Sequence, residues 1–290
     1  MPLRYTLSCD LSYDIRSETT FIFNFEVARL GSHRDLVEAL TIAPAQPART
    51  HVSGDLQTRY LSINAQPGPL HVHYEAAVAL EPFRADPASV QETPVSKIPL
   101  DILPFLLPSR FIPSDRLAAF AQKEFGALPP GHSRVTAICN WIYANIDYQR
   151  GSSDEMTTAT ESLIKRAGVC RDFAHIAIAF CRAINIPARF VSCYAYGLEP
   201  SDFHAVFEAY LDGRWWLFDA TRQAHLDGLI RIGAGRDAAE IAFASPFGEI
   251  IPGPVSVTIK RDDGSAEMSE RTNDAISTAD SPMPDQDSPA

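Results

Sequence analysis

The chain has 290 residues, of which 46% are hydrophobic and 21% charged, as in an ordinary globular protein. Its formal net charge is −11, which argues against nucleic acid as a partner. It contains no run of about 18 apolar residues and no N-terminal run that resembles a signal peptide, so we expect neither a membrane span nor export. The five cysteines are irregularly spaced and form no CxxC motif. This is typical of reduced thiols and predicts a cytoplasmic protein.

Residues 1–81 carry the alternating pattern of short strands. Four runs alternate apolar and polar residues between turn residues: Tyr5–Tyr13, Thr20–Val27, Thr58–Ile63 and Pro69–Leu80. We therefore predict an antiparallel β-sandwich-like module here. His71 and His73 share one face of the last run, but no cysteine or carboxylate lies at ligand spacing, so we predict no metal site.

Residues 82–114 are rich in proline, which interrupts helices and central strands alike, so we predict a connector. Its many apolar residues indicate that it packs on a domain. Two helices follow, over 116–125 and 133–146. Ser114 and Asp115 are suitable N-cap residues for the first helix, and the second has an apolar stripe.

A cysteine opens the next predicted helix. From Phe173 onwards apolar residues recur at helical spacing, and the run ends before Pro187 because the residue preceding a proline is disfavoured in a helix. Cys170 therefore lies at the helix N-terminus. The helix dipole and the free backbone N–H groups there stabilise a thiolate and can hold an oxyanion.

A histidine and an aspartate lie on the two strands of a predicted hairpin, whose turn is Asp212-Gly213. The register that this turn sets pairs Leu211 with Arg214, Tyr210 with Trp215, Glu208 with Leu217, Val206 with Asp219 and His204 with Thr221. His204 and Asp219 then project from one face, about 7–8 Å apart at the backbone. An imidazole and a carboxylate can meet across that gap.

Cys170, His204 and Asp219 together predict a thiol active site. In such a site Cys170 is the nucleophile, His204 the base, and Asp219 the group that fixes the tautomer and orientation of the imidazole. Two other histidines are weaker candidates. His175 points about 140° away from Cys170 on the helix surface, and His225 lies in a polar connector.

Three further residues near the predicted site have two interpretations each. Trp141 lies within a helix, which favours core packing over a role in the predicted site. Tyr148 follows that helix, and its hydroxyl could reach a substrate, although a structural role is favoured. Asp172, in the first turn of the cysteine helix, is either stabilised by the helix dipole or orients a neighbouring loop or substrate.

The end of the chain is predicted to contain little regular structure. We expect a short helix near 237–243 and a final strand over 254–260. Residues 261–290 carry eight acidic residues against two arginines, and few large apolar residues. This composition predicts a disordered acidic tail.

The segments GVCRDFAH, DFHAVFEAY and WWLFDATR resemble the three core motifs of the transglutaminase-like superfamily, in the same chain order. The resemblance is to bacterial members, which also carry a β-rich N-terminal region. It implies an α+β fold with an N-terminal module (1–81), a connector (82–114), a papain/transglutaminase-like catalytic domain of helices on an antiparallel sheet (115–260), and the tail (261–290). One departure is Ala220, where many relatives have proline.

The resemblance also implies an enzyme that acts on a protein or peptide substrate. Cys170 would attack an amide carbonyl and form a thioester, which water resolves in a peptidase or amidase and an amine resolves in a transglutaminase. We favour hydrolysis. Acyl transfer from a small thioester, as in arylamine acetyltransferases, and a non-catalytic binding module are the alternatives. We expect no cofactor, no metal, no nucleic acid and no membrane partner.

Overall fold

A computed structural model describes residues 3–54, 56–262 and 272–279. The strands are β1 (Leu3–Ile15), β2 (Thr19–Phe23), β3 (His33–Ala43), β4 (Ala48–Val52), β5 (Arg59–Ala65), β6 (Gly68–Leu80), β7 (Phe83–Ala85), β8 (Asp147–Tyr148), β9 (Ala167–Gly168), β10 (Ala188–Ala195), β11 (Phe203–Leu211), β12 (Arg214–Phe218), β13 (Leu229–Gly235), β14 (Ala244–Phe247), β15 (Ile250–Arg261) and β16 (Ala275–Ser277). The helices are α1 (Ala118–Phe125), α2 (His132–Asn145), α3 (Ala159–Lys165) and α4 (Cys170–Ala183), and short 3-10 turns lie at Pro87–Ser89, Val95–Lys97, Leu100–Phe105, Ser114–Leu117 and Leu226–Gly228.

The N-terminal part is a sandwich of two antiparallel four-stranded sheets, with strand orders β15-β1-β6-β3 and β14-β2-β5-β4. Alternate residues of each strand face inward and share one apolar core, in which Phe21, Phe23 and Tyr74 are fully buried. The core forms because strand side chains alternate between the two faces of a sheet. The predicted sandwich-like module is confirmed.

The second part is a six-stranded antiparallel sheet, in the order β13-β10-β11-β12-β16-β7, with helices packed on it. Helix α4 is buried on every side from Asp172 to Arg182, so it is the central element of this part. It packs most closely on β11, the strand that carries His204. The predicted arrangement of helices on an antiparallel sheet is confirmed.

The C-terminal part of the chain differs from the prediction. Strands β14 and β15 pair with β2 and β1 of the sandwich, so residues 244–261 return to the N-terminal module rather than extending the catalytic domain. The expected helix near 237–243 is a series of turns, in which Asp237 accepts hydrogen bonds from the backbone N–H groups of Phe111 and Ala239. The preceding strand, β13, was not predicted.

The expected disorder of residues 261–290 is wrong for residues 261–262, at the end of β15, and for residues 272–279. Strand β16 lies inside the six-stranded sheet between β12 and β7, and its residues Ala275, Ile276 and Ser277 are buried. The rest of the predicted tail, 263–271 and 280–290, lies outside the described residues. In the described ranges, no helix is long and apolar enough to cross a membrane.

Candidate active site

Two short strands place the start of α4. Tyr148 of β8 pairs with Gly168 of β9, and Gly168 leads through Val169 directly into Cys170. The buried carboxylate of Asp172 accepts hydrogen bonds from the backbone N–H of Val169 and from the hydroxyl of Ser153. Asp172 therefore orients the loop before the helix, which is the second of its two interpretations. The result is a partly exposed Cys170 at the helix N-terminus.

The hairpin brings His204 to Asp219. The observed register pairs Leu211 with Arg214, Tyr210 with Trp215, Glu208 with Leu217 and Phe207 with Phe218. The ladder therefore has the predicted register, but it ends before Asp219. His204 Nε2 and Asp219 Oδ2 are 3.0 Å apart, and both side chains are almost fully buried. The expected meeting of imidazole and carboxylate is present.

The predicted pairing of His204 with Thr221 is wrong, because the chain turns after Asp219. The Thr221 hydroxyl and backbone N–H both donate to Asp219 Oδ1, at 2.7 and 2.8 Å. This local turn satisfies one carboxylate oxygen and leaves the other for His204. On the other side, His204 pairs with Cys193 of β10.

The environment of His204 favours its charged form. Burial lowers its pKa, but the charge and hydrogen bond of Asp219, together with those of the Cys170 thiol, outweigh burial and raise the pKa to about 10. The charged form of Asp219 is stabilised as well. Burial raises the pKa of Asp219, but His204 and Thr221 hold it below its usual value. Among the described residues, the buried Nδ1 of His204 has no hydrogen-bond partner.

Tyr148 lies next to Cys170. Its hydroxyl lies near both the backbone N–H and the thiol of Cys170. Burial and the neighbouring thiol raise the pKa of Tyr148 to about 12, so the hydroxyl keeps its proton at neutral pH. Its ring packs on Phe173, and the side chain remains 37% exposed. The Tyr148 hydroxyl is thus beside the thiol on the solvent side.

The comparisons with known proteins agree with this architecture. Residues 118–220 match the transglutaminase-like superfamily, and residues 3–101 match the bacterial transglutaminase N-terminal domain. A solved structure from Cytophaga hutchinsonii, assigned as a cysteine protease, is 38% identical, covers 96% of this chain and 98% of its own, and superposes with a TM-score of 0.89.

The chain belongs to the transglutaminase-like superfamily. Uncharacterized proteins of this kind occur in Mycobacterium leprae (27% identical over 146 residues, 47% of this chain and 52% of the relative) and Mycobacterium tuberculosis (29% over 184 residues, 58% and 57%). The chain spans little more than half the length of these curated relatives.

The remaining residues singled out in this transglutaminase-like chain lie away from the thiol. Trp141 packs edge-on against Phe120 and Phe180 in the core, as favoured. His175 is fully buried in the middle of α4, where burial lowers its pKa to about 3. His225 lines a cavity next to Asp219. In the part of the chain that the structure describes, no group of three or more potential ligand side chains is arranged to hold a metal ion.

Proposed function

We propose that the protein is a cysteine-type acyl-transfer enzyme whose main reaction is hydrolysis of an amide or peptide bond. The observation that carries this proposal is the buried ion pair of His204 and Asp219 beside Cys170, the residue that opens α4. The Cytophaga relative, which is assigned as a cysteine protease, supports hydrolysis as the outcome.

In the first half of the reaction, the Cys170 thiolate attacks the carbonyl carbon, and the carbonyl electron pair moves to the oxygen. The backbone N–H of Cys170 and the Tyr148 hydroxyl donate hydrogen bonds to this oxyanion. When the carbonyl re-forms, the C–N bond breaks and His204 gives its proton to the leaving amine. Asp219 holds the His204 ring in place before and after this proton transfer.

In the second half, a nucleophile attacks the thioester and His204 accepts its proton. Water gives a carboxylic acid and hydrolysis, whereas an amine gives a new amide and a transglutaminase reaction. The C–S bond breaks in either case, and the thiolate returns with His204 protonated. Both outcomes use the same three residues, so the acceptor that reaches the thioester decides between them.

The proposal is tested by thiol reactivity. At about pH 6, where an ordinary thiol is almost wholly protonated, we expect iodoacetamide to add once to the wild-type chain, as measured by intact mass. Cys170→Ala should abolish this adduct, and His204→Ala should slow it at least about tenfold, because the thiolate loses its imidazolium partner. Cys9→Ala is the control, since burial in the sandwich raises the pKa of Cys9 to about 11.

If neither Cys170→Ala nor His204→Ala changes the iodoacetamide labelling, the enzyme proposal is overturned. The protein would then be a binding module with this fold. If the site is active, the next measurement is turnover of amide substrates with and without an added amine. Release of acid alone indicates hydrolysis, and formation of a new amide indicates transfer.

We further propose a protein or peptide substrate and a cytoplasmic location. The location is supported by the five cysteines, all of which are free thiols. Fractionation of cells that make the protein tests it, with recovery outside the cytoplasm as the contrary result.

A further inference from the structure

A cavity of about 480 Å³ lies on the outer face of the sheet β14-β2-β5-β4 in the sandwich. None of the three candidate active-site residues lines it. Its floor is a row of cross-strand neighbours, one from each strand: Ser245, Ile22, Ser62 and Arg49. Residues 239–242 form one wall. The volume is within the range of ligand pockets, and the row ends at β4, the last strand of the sheet.

Strand β4 is a free edge of this sheet. Among the described strands it pairs with β5 alone. All five of its residues, from Ala48 to Val52, are exposed, so neither face of the strand is buried. Its outward backbone N–H and C=O groups are therefore open to another strand. Arg49, Thr50 and His51 all line the cavity, so the cavity opens directly onto this edge.

The cavity contains one charge that the protein does not neutralise. Arg49 donates a hydrogen bond to the Ser62 hydroxyl at 3.3 Å, and in the described part of the chain it forms no ion pair. The carboxylate in the lining, that of Glu240, is already paired with Arg236. An acidic side chain is therefore the electrostatic complement of this cavity.

An apolar surface lies beside this charge. The rings of His51 and Tyr60 lie nearly parallel, with their centroids 6.4 Å apart. Ile22 and Phe247 also line the cavity and are 37% and 64% exposed. Exposed apolar side chains that are grouped in this way are typical of a binding site. The cavity thus offers a cation and an apolar surface side by side along one strand.

We infer that the β4 edge binds an extended peptide, which adds to the sheet as a fifth strand. Backbone hydrogen bonds to β4 hold the peptide, and its alternate side chains give specificity. Because Arg49 and His51 are two residues apart, such a peptide places an aspartate or glutamate beside Arg49 and an apolar side chain, two residues away, on His51 and Tyr60.

The site is separate from the proposed acyl-transfer reaction, in which none of its residues takes part. A second copy of β4 is a poorer occupant than an acidic peptide, because the strand contains Arg49 and no acidic residue. Like charges on facing strands oppose pairing, whereas opposite charges favour it. The residues of the edge therefore select an acidic partner over another copy of the chain.

Fluorescence anisotropy with the full chain tests the charge. The probes are two labelled threonine-rich peptides with glutamate and phenylalanine two residues apart, one peptide for each order of the pair. We expect one order to bind, and Arg49→Glu to weaken its binding about tenfold. Lysine in place of the peptide glutamate should restore binding to Arg49→Glu, which also shows that this variant is folded. Arg34→Glu, at an exposed position of the edge strand β3, is the matched control and should bind as the wild type does.

N-methylation of the peptide tests strand addition. Alternate N–H groups of a strand point to opposite sides, so methylation of one alternate set blocks pairing with β4 and methylation of the other set does not. We expect one methylated peptide to lose at least about tenfold in affinity and the other to keep it. The inference is overturned if neither peptide order binds, if both methylations act alike, or if lysine does not restore binding to Arg49→Glu. A wild-type dimer in sedimentation that Arg49→Glu dissociates would assign the edge to a second copy instead.

Discussion

Helix α4 contains one buried histidine and lies beside another, and the environments of the two differ in one respect. His204, beside the start of the helix, and His175, in its middle, are 2% and 0% exposed. Burial lowers the pKa of each. Yet the pKa of His204 is raised to about 10, whereas that of His175 falls to about 3. The two rings therefore carry different charges at neutral pH.

The partner of each ring explains the difference. Asp219 Oδ2 lies 3.0 Å from His204 Nε2, so the imidazolium has a direct charged acceptor. The Nε2 of His175 instead accepts a hydrogen bond from the backbone N–H of Ala238, and its ring stacks on Phe111. The charge of Asp237 raises the pKa of His175 but does not overcome burial. A carboxylate must bond the ring directly to keep a buried histidine charged.

The largest expected effect comes from removing that carboxylate. Asp219→Asn should make His204 resemble His175, with a pKa lower by about 1–3 units and an alkaline limit of activity shifted by the same amount towards acid. The acylation rate with p-nitrophenyl acetate should fall about 10²–10⁴-fold, as for a histidine that has lost its orienting carboxylate. The measurement is the rate as a function of pH.

Asp237→Asn is the matched control for this experiment. It removes a carboxylate from the neighbourhood of His175 and should leave the alkaline limit of activity unchanged. If the alkaline limit of activity is unchanged in Asp219→Asn too, a group other than Asp219 sets the charge of His204.

A smaller effect should follow from changing the Tyr148 hydroxyl, which tests whether the start of α4 is arranged to stabilise charge. Tyr148→Phe keeps the ring on Phe173 and should slow acylation about 10–10²-fold, since one donor to the oxyanion is lost. Alkylation of Cys170 by iodoacetamide forms no oxyanion, so its rate should change less than about threefold. Tyr143→Phe, at an exposed tyrosine of α2, is the control. Equal losses in both rates would assign Tyr148 to the thiolate instead.

The smallest effect concerns stability. Between pH 6.5 and about 10 the folded state keeps the His204 proton that the unfolded state has lost, so the free energy of unfolding falls as pH rises. Between about pH 3 and 6.5 the unfolded state holds a His175 proton that the folded state lacks, so stability falls as pH drops. Each slope approaches about 1.4 kcal/mol per pH unit.

Denaturant unfolding of His204→Gln and His175→Gln at a series of pH values checks this. His204→Gln should flatten the alkaline slope alone, and His175→Gln the acid slope alone. The reverse assignment, or two unchanged slopes, would contradict the opposite charges of the two rings.

Local signals in the sequence were sufficient for the helix and the hairpin that carry the candidate site residues. The apolar period after Cys170 gave the helix, and the turn at Asp212-Gly213 gave the pairing from Leu211 inward to the strand that carries His204. A hairpin register depends only on residues close in the chain, which is why it could be counted. The bend after Asp219 depends on a hydrogen bond from the Thr221 side chain to the Asp219 carboxylate. The alternation of apolar and polar strand residues does not predict such a bond.

Non-local pairing accounts for the larger errors. Ala275 and Ile276 are the few apolar residues of a polar stretch, and they are buried only because β12 and β7 lie on either side of them. Strand β15 pairs with β1 across almost the whole chain. The position of Tyr148 beside Cys170 likewise depends on a non-local pairing, that of β8 with β9 across twenty residues of sequence.

The position of β16 has a consequence for synthesis of the protein. Translation delivers residues 272–279 after every other strand of both parts. Until they emerge from the ribosome, β12, which ends beside Asp219, forms the margin of an incomplete sheet, and β7 has no strand to join. The nascent chain therefore contains Cys170, His204 and Asp219 before β16 has paired with β12, the strand that ends beside Asp219. Completion of the site should therefore be a late folding step, because it waits for β16, which follows every other described strand in the chain.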